Sequence, residues 1–455
     1  MQAIESALST LSSWVWGPPL LILLVGTGIY FTARLGFIQL LKLPLALRLM
    51  FRKEDSAGDV SRFAALCTAL AATIGTGNIV GVATAVKLGG PGALFWMWMA
   101  GLFGMATKYA ECMLAVKYRR TDARGEQVGG PMYYIAEGTG LRWLAKLFAV
   151  FTLLVAFFGI GTFPQVNAIV DGAQIAFAVP QWLTMTVLTL LVGAVVLGGV
   201  KRIAKVASAL VPTMAIGYVL ACLLLLGLNW QAVPAAFALV LESAFNPVAA
   251  GGGFAGATVM YAIQMGVARG VFSNEAGLGS APMAAAAAKT RSPVEQGLVS
   301  MTGPLFDTLI ICTLTGLALV MTGAWQGEAA GAAMTSSAFA SGLSAFVGEK
   351  VVTVALLFFA FTTILGWCYY GERAVLFLAG ERGRTPYRWV FVSLVAVGGL
   401  LHLELIWLLA DVVNGLMAVP NLIALLLLRK EIISDTRDYL ASLRAAPGRI
   451  SPSQA

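Results

Sequence analysis

The chain has 455 residues, of which 59% are hydrophobic and only 11% charged. A soluble domain carries about 25% charged residues, so 30 Lys and Arg with 22 Asp and Glu are too few to coat a water-exposed surface. The mean hydropathy of +0.83 points to an all-α polytopic membrane protein. One histidine (His402), no Cys-rich cluster and no Gly-x-x-x-x-Gly-Lys-Ser/Thr sequence argue against a zinc enzyme, a haem protein and an ATP-driven pump.

Apolar runs and their charged or Gly/Pro punctuation predict eleven helices, near 17–37, 63–87, 91–117, 143–177, 183–200, 205–228, 253–286, 293–322, 350–372, 387–408 and 409–429. The first has no basic stretch ahead of it and is followed by Lys42, Arg48, Arg52 and Lys53, so it reads as a retained span rather than a signal peptide. Alternate connections are basic: Lys42 to Arg62, Arg119 to Lys146, Lys201 to Lys205, Lys289 with Arg291, Arg373 to Arg388, and the tail from Arg429 to Arg449. The opposite connections hold only Lys87 and Lys350. Because Lys and Arg are retained on the cytoplasmic side, an outside amino terminus and a cytoplasmic carboxyl terminus are expected, in the cell (inner) membrane. The same distribution explains the +8 net charge without nucleic acid. Cys67, Cys112, Cys222, Cys312 and Cys368 all fall in spans and read as small core residues rather than a disulfide frame. Segments 230–250 and 323–349 are external and are expected to hold short helices over a vestibule.

Two helices carry polar, Gly-rich stretches at mid-depth: Thr73-Ile74-Gly75-Thr76-Gly77-Asn78 in the second, and Gly270 to Ser280 in the seventh. Gly77 and Gly81 could serve close helix packing. The other reading is a break, since unwound backbone in a membrane is tolerated only where protein buries it or a polar cavity faces it. Each such helix opens a block of five, 63–228 and 253–430, leaving 1–62 as an amino-terminal segment with one extra helix and 431–455 as a cytoplasmic tail. The blocks start from opposite sides, so they are inverted, and matched interruptions in inverted halves mark a midplane transport site. Half-helix ends expose unpaired N–H groups to a carboxylate and unpaired carbonyls to a cation, which suits a zwitterion with a small cation.

The stretches Thr68 to Asn78, Gly89-Gly90-Pro91-Gly92-Ala93, Phe103 to Glu111, Gly129-Gly130-Pro131-Met132-Tyr133-Tyr134, Phe272 to Ser280 and Gly366 to Arg373 resemble the alanine or glycine:cation symporter family, sodium-coupled carriers of small neutral amino acids. The resemblance implies the five-plus-five inverted repeat of neurotransmitter-type sodium symporters. It also implies a substrate pocket of Thr76, Gly77, Asn78, Phe272, Gly277 and Gly279, completed by Gln165 and Trp367. In that role Gln165 offers an amide oxygen to the ammonium group and the Trp367 indole limits side-chain volume; the alternatives are a helix–helix hydrogen bond for Gln165 and lipid or core packing for Trp367. The implied sodium ligands are the carbonyls of Ala71 and Ile74 with the hydroxyls of Thr362 and Thr363, two threonines that could instead bond back to their own helix.

Charges inside spans are normally partnered or functional. Lys108 and Glu111, three apart on one helix, are expected to pair. Arg269, Glu275 and Asp307 form either a gate network or an anchor for the unwound segment, and a proton relay through Glu275 or Asp307 is a further possibility. His402, Glu404 and Asp411, near an external turn, need no special role. The expected function is a sodium-coupled symporter importing alanine or glycine by alternating access within the lipid bilayer, with no cofactor beyond the coupling ion and no enzymatic activity. A proton-coupled or exchange carrier on the same fold is the alternative. A channel would need a repeated pore motif or a ring of carbonyls, and a lone His402 offers no catalytic triad.

Overall fold

The computed structural model describes residues 2–52, 56–246, 259–400 and 403–445. His402 and the start of the seventh expected span, 253–258, lie outside the described residues. Helices α1 (Gln2–Val15) and α2 (Pro18–Arg34) join across Gly17, with Pro18 and Pro19 in the first turn of α2, where a missing N–H costs nothing. Two short helices follow, α3 (Ile38–Leu41) and α4 (Leu43–Phe51), then α5 (Arg62–Thr73), α6 (Val80–Gly89) and α7 (Gly92–Lys117). A small antiparallel hairpin, β1 (Arg120–Thr121) with β2 (Gln127–Val128), leads to α8 (Pro131–Tyr134), α9 (Arg142–Phe158), α10 (Phe163–Phe177), α11 (Gln181–Val196), α12 (Gly199–Leu228) and α13 (Val233–Phe245).

The remaining helices are α14 (Val259–Asn274), α15 (Ala281–Ala286), α16 (Pro293–Ser300), α17 (Thr313–Met321), α18 (Gly331–Gly342), α19 (Ala345–Ala379), α20 (Glu381–Val397), α21 (Leu403–Leu427) and α22 (Arg429–Ala445). Between α16 and α17 the chain runs through a π-helical stretch, Leu305–Cys312. Both segments expected to hold short helices do so, as α13 and α18. Among the described residues, six helical segments are long and apolar enough to cross a membrane: Ser6–Arg34, Arg142–Phe177, Gly199–Leu228, Pro293–Met321, Phe346–Ala379 and Ile406–Leu427. The bent pair Arg62–Thr73 and Thr76–Gly89 makes a seventh. The chain is thus a multi-pass helical membrane protein. The other four expected segments hold α7, α11, α14 with α15, and α20, which are shorter, interrupted or more polar.

Two boundaries differ from expectation. Helix α19 runs well past 372, because Glu372 and Arg373 end no helix here: Arg388 Nε bonds Glu372 at 2.5 Å and Arg373 reaches Glu126 at 3.2 Å. The last turn falls at Gly398–Leu400 rather than 408, since the apolar run continues straight through it.

Exposed Ile175, Leu190, Leu191, Ile216, Leu220 and Leu224 give the outside the apolar character that lipid requires. Polar ties concentrate at the end bearing most basic connections. There Val60 pairs with Ala288 in an isolated bridge, and Arg119 donates to the carbonyls of Ala288 at 2.8 Å and of Thr290 and Ala57 at 3.1 Å. Arg62 pairs with Glu295, which also accepts from Tyr439 of α22 at 3.0 Å. Arg384 binds Asp122 at 2.8 Å and Glu126 at 3.0 Å, tying the hairpin to α20.

Candidate substrate and ion site

Helix α5 stops at Thr73 because Ile74 and Gly75 are extended, and a 3₁₀ turn, Thr76–Asn78, precedes α6. The two halves bend by 62°. Neutral bonds hold the bend. The Gly75 N–H donates to Asn78 Oδ1 at 2.9 Å, and the Thr76 N–H donates to Gln165 Oε1 at 3.2 Å. Gln165 Nε2 in turn donates to Thr76 Oγ1 at 2.9 Å and to the Ile160 carbonyl at 3.0 Å. A Cβ at 75 would lie 2.4 Å from Thr363 Oγ1, too close to fit without a shift, and one at 77 would press on Ser273 Cα at 3.0 Å. A Cβ at Gly81 would meet nothing within 4 Å, so the alternative of close packing through a Gly77–Gly81 pair does not hold.

The second interruption separates α14 from α15 and places Glu275 at φ 56, Gly277 at φ 90 and Gly279 at φ 81. Glycine takes this left-handed region freely, whereas Glu275 does so at a cost of about 1–2 kcal/mol. Side chains offset it. Trp367 Nε1 donates to Glu275 Oε1 at 2.8 Å, and Ser280 Oγ donates to Oε2. Asn274 Oδ1 caps the Ala276 N–H at 2.9 Å, Lys108 Nζ donates to the Asn274 carbonyl at 2.5 Å, and Asn421 Nδ2 donates to the Gly277 carbonyl at 2.9 Å.

A third interruption was not expected. Residues 159–162 split the 143–177 segment into α9 and α10, with Thr162 Oγ1 donating to the Ala156 carbonyl at 2.6 Å. Its Ile160 carbonyl is the one that Gln165 binds, and a Cβ on Gly161 would lie 2.7 Å from Trp367 Cβ. The available signal was Gly159-Ile160-Gly161 ahead of Pro164, which sits in the first turn of α10.

Thr76, Gly77, Asn78 and Gln165 therefore share one buried neighbourhood, and Trp367 joins it through Gly161 and Glu275. Phe272 lies on the Arg269 side of the second break, its ring 5.3 Å from that of Trp407 and 5.7 Å from the Arg269 guanidinium. A side chain at Gly277 would meet Leu24, and one at Gly279 would meet Pro131 and Asn421. Of the four expected ion ligands, Ile74 and Thr363 come together, with Thr363 Oγ1 donating to the Ile74 carbonyl at 3.3 Å and to Phe359 O at 3.0 Å. Thr362 bonds back to Phe359 at 3.0 Å and leans toward Met214 Sδ at 3.6 Å. Ala71 is buried one turn earlier in α5.

The expected Lys108–Glu111 pair does not form. Lys108 turns to the Asn274 carbonyl rather than to Glu111, which accepts from Asn421 Nδ2 at 2.6 Å; both face neighbouring elements that supply better-placed partners than their own helix. Among the described residues, Arg269, Glu275 and Asp307 are not joined to one another by a hydrogen bond or ion pair. Arg269 is six residues before Glu275, roughly 9 Å along a helix, and forms a two-pronged pair with Asp411 at 2.8 Å for each bond. Asp411, thought to need no role, is therefore a structural partner. Asp307 accepts from Asn78, Ser273 and Thr308.

A multi-pass membrane protein whose interrupted helices meet over buried polar side chains has the build of a transporter. The chain belongs to the sodium:alanine symporter family, whose pattern it matches over residues 1–450. That family transports rather than catalyses, and it implies sodium as coupling ion and alanine as substrate. The chain is 63% identical over 443 residues to an uncharacterized transporter of Haemophilus influenzae, covering 97% of both chains. It is 49% identical to the sodium/alanine symporter AgcS of Methanococcus maripaludis, over 95% of this chain and 97% of that one. A probable sodium/glutamine symporter, GlnT of Bacillus subtilis, is 37% identical over 98% and 92%. Among solved structures, a manganese transporter of Eremococcus coleocola matches with a TM-score of 0.51 at 14% identity, covering 89% of this chain and 86% of that one; the likeness is one of fold alone.

Proposed function

We propose that the chain imports a small neutral amino acid, alanine or glycine, together with sodium, by alternating access through eleven spans arranged as one extra helix and two inverted five-helix blocks, 63–228 and 253–430. The amino terminus is outside, and the tail, 431–455, is cytoplasmic. The observation that carries the reading is the meeting of the two interruptions: Gly77 of the first packs against Ser273, at the end of α14, while Gly75 abuts Thr363. Two half-helix pairs that touch at their breaks bring half-helix ends, with their N–H and carbonyl dipoles, to one place.

In this reading the substrate carboxylate lies at the N–H groups of Thr76, Gly77 and Asn78, with Phe272, Gly277 and Gly279 from the second break closing over it. Gln165 contributes its amide oxygen toward the ammonium. Trp367, held by Glu275, fills the space a larger side chain would need. Sodium is held by the Ala71 and Ile74 carbonyls with the Thr362 and Thr363 hydroxyls. The fit is supported by Gly75, where any Cβ would fill the space beside Thr363 Oγ1.

The Arg269–Asp411 pair, backed by Phe272 and Trp407, serves as the outer gate. The ties around Arg62, Arg119 and Val60–Ala288 serve as the inner one. Opening one set while the other stays closed moves the same bound pair from one side to the other. One charge crossing 100 mV is worth about 2.3 kcal/mol, roughly a fifty-fold concentration ratio before any sodium gradient is added.

The test is radiolabelled alanine uptake into proteoliposomes with sodium, lithium or protons as the sole gradient, with unlabelled glycine as competitor. Uptake driven by sodium and blocked by glycine supports the reading. Uptake driven by protons alone overturns the ion assignment in favour of a proton-coupled carrier.

A further inference from the structure

One face of α21 runs along the second break. Trp407, Asp411, Asn414 and Asn421 recur at spacings that place them on one side of a helix. The Trp407 ring lies 5.3 Å from that of Phe272, Asp411 pairs with Arg269 at 2.8 Å, and Asn421 Nδ2 donates to the Gly277 carbonyl at 2.9 Å. Asn414 therefore falls between a contact ahead of the break and a contact within it. On its other flank is the third break: a Cβ on Gly159 would lie 2.9 Å from Asn414 Oδ1, and one on Gly161 would lie 2.7 Å from Trp367 Cβ.

Asn414 is 1% exposed, and among the described residues neither its Oδ1 nor its Nδ2 has a hydrogen-bond partner. The polar side chains above and below it on the same face are engaged, Asp411 by Arg269 and Asn421 by Tyr134, Glu111 and Gly277. A buried amide left unbonded destabilises a fold, so such a group calls for an explanation outside the fold's own bonding. Leucine, close to asparagine in shape, would remove that penalty. Local rules of this kind are broken chiefly at functional sites.

We propose that Asn414 is a specificity-determining residue of the substrate pocket, hydrogen-bonding the side chain of a small hydroxyl-bearing amino acid, so that serine is carried alongside alanine. The inference rests on the pocket proposed above and names a further substrate class for it. In that pocket the carboxylate and ammonium are met at Thr76, Gly77, Asn78 and Gln165, while Trp367 bounds the side chain. Asn414 borders Trp367 through the third break, so the substrate group it meets is the side chain. A hydroxyl both donates and accepts, and either end of the amide suits it. A carboxamide would match both ends at once, but Trp367 takes the volume it would need.

The test is equilibrium binding of radiolabelled alanine and serine to the purified full-length protein in sodium, for the wild type, Asn414→Ala and Asn414→Leu. Thermal unfolding of each is followed without amino acid. The wild type is expected to bind both ligands. Each variant should weaken serine binding about fivefold, the worth of one neutral hydrogen bond, and leave alanine binding unchanged. Asn414→Leu should unfold at a temperature no lower than the wild type, since no bond within the fold is lost. A wild type that binds alanine but not serine, or variants with unchanged serine affinity, overturns the proposal. Equal losses for alanine and serine deny Asn414 a role in side-chain specificity and overturn it as well. A lower unfolding temperature in Asn414→Leu makes the amide part of the fold's own bonding, with the same consequence. Glutamine competing with alanine more strongly than serine does makes the recognised group a carboxamide and overturns the hydroxyl assignment. A wild type that binds no alanine in sodium, lithium or protons alone overturns the proposed function itself, a result separable from all of these.

Discussion

The two broken helices meet but are built differently. The first needs only two extended residues, Ile74 and Gly75, and its own bonds run to uncharged Asn78 and Gln165, a carboxylate reaching it only at second hand where Asn78 donates to Asp307 at 2.7 Å. The second needs three residues at positive φ and is surrounded by Lys108, Glu111, Glu275 and Asp307. A short neutral break leaves backbone dipoles available to ligands, whereas a long one must be tied down, and fixed charges do that at the cost of needing compensation. The first break is therefore the better candidate for direct contact with substrate and ion, and the second for setting pocket shape and charge balance.

That contrast can be broken in several places. Gly75→Ala would put a Cβ 2.4 Å from Thr363 Oγ1, and more than about a 100-fold loss of sodium-dependent alanine uptake is expected, as for other misplacements at a reacting site. Gly81→Ala, in open space, should leave uptake unchanged; equal losses in both would mean the bend is merely fragile. Glu275→Ala removes the acceptor for Trp367 and Ser280. Bonds to a charged group are worth about 1.5–3 kcal/mol, so uptake should fall about 10- to 100-fold, and competition assays should find bulkier neutral amino acids better tolerated. Unchanged size selectivity would detach Glu275 from pocket shape.

Gln165→Ala removes two neutral contacts to Thr76, each worth about 1 kcal/mol. The concentration for half-maximal alanine uptake should rise roughly 5- to 30-fold with sodium dependence retained. The smallest effect lies outside the core, in the hairpin. Burial alone would raise the Asp122 carboxyl, but the amide N–H groups of Glu126 and Arg124 and the Arg384 guanidinium hold it below its ordinary value. A depressed carboxyl stabilises the fold above its unfolded pKa of about 3.9, and that stabilisation is lost as pH falls through the folded value. Asp59 behaves oppositely, because burial raises it, and partly offsets the change. Thermal stability of the wild type should therefore fall only slightly below about pH 4, and Asp122→Asn should flatten that dependence.

Both breaks were legible because clusters of Gly, Thr, Asn and Ser stand out within a long apolar run and fall at matching places in the two halves. Their partners were not. Asn78 and Asp307 are 229 residues apart, and Arg269 and Asp411 are 142 apart; nothing in a single sequence sets the register between helices, so the nearest sequence neighbour was favoured for Lys108 and Glu111. The interruption at 159–162 escaped for a different reason. Gly159-Ile160-Gly161 sits inside a segment whose overall apolarity reads as one long span, with Thr162 the one polar residue in the break, yet it supplies the carbonyl that orients Gln165 and the space for Trp367.

The most direct measurement is alanine uptake into proteoliposomes holding the wild-type protein or Thr363→Ala, with an imposed sodium gradient and no other driving force. The account predicts concentrative uptake by the wild type that lithium or a proton gradient does not replace, and loss of sodium dependence in Thr363→Ala with folding intact. Sodium-independent uptake by the wild type, or full sodium dependence in Thr363→Ala, would contradict it.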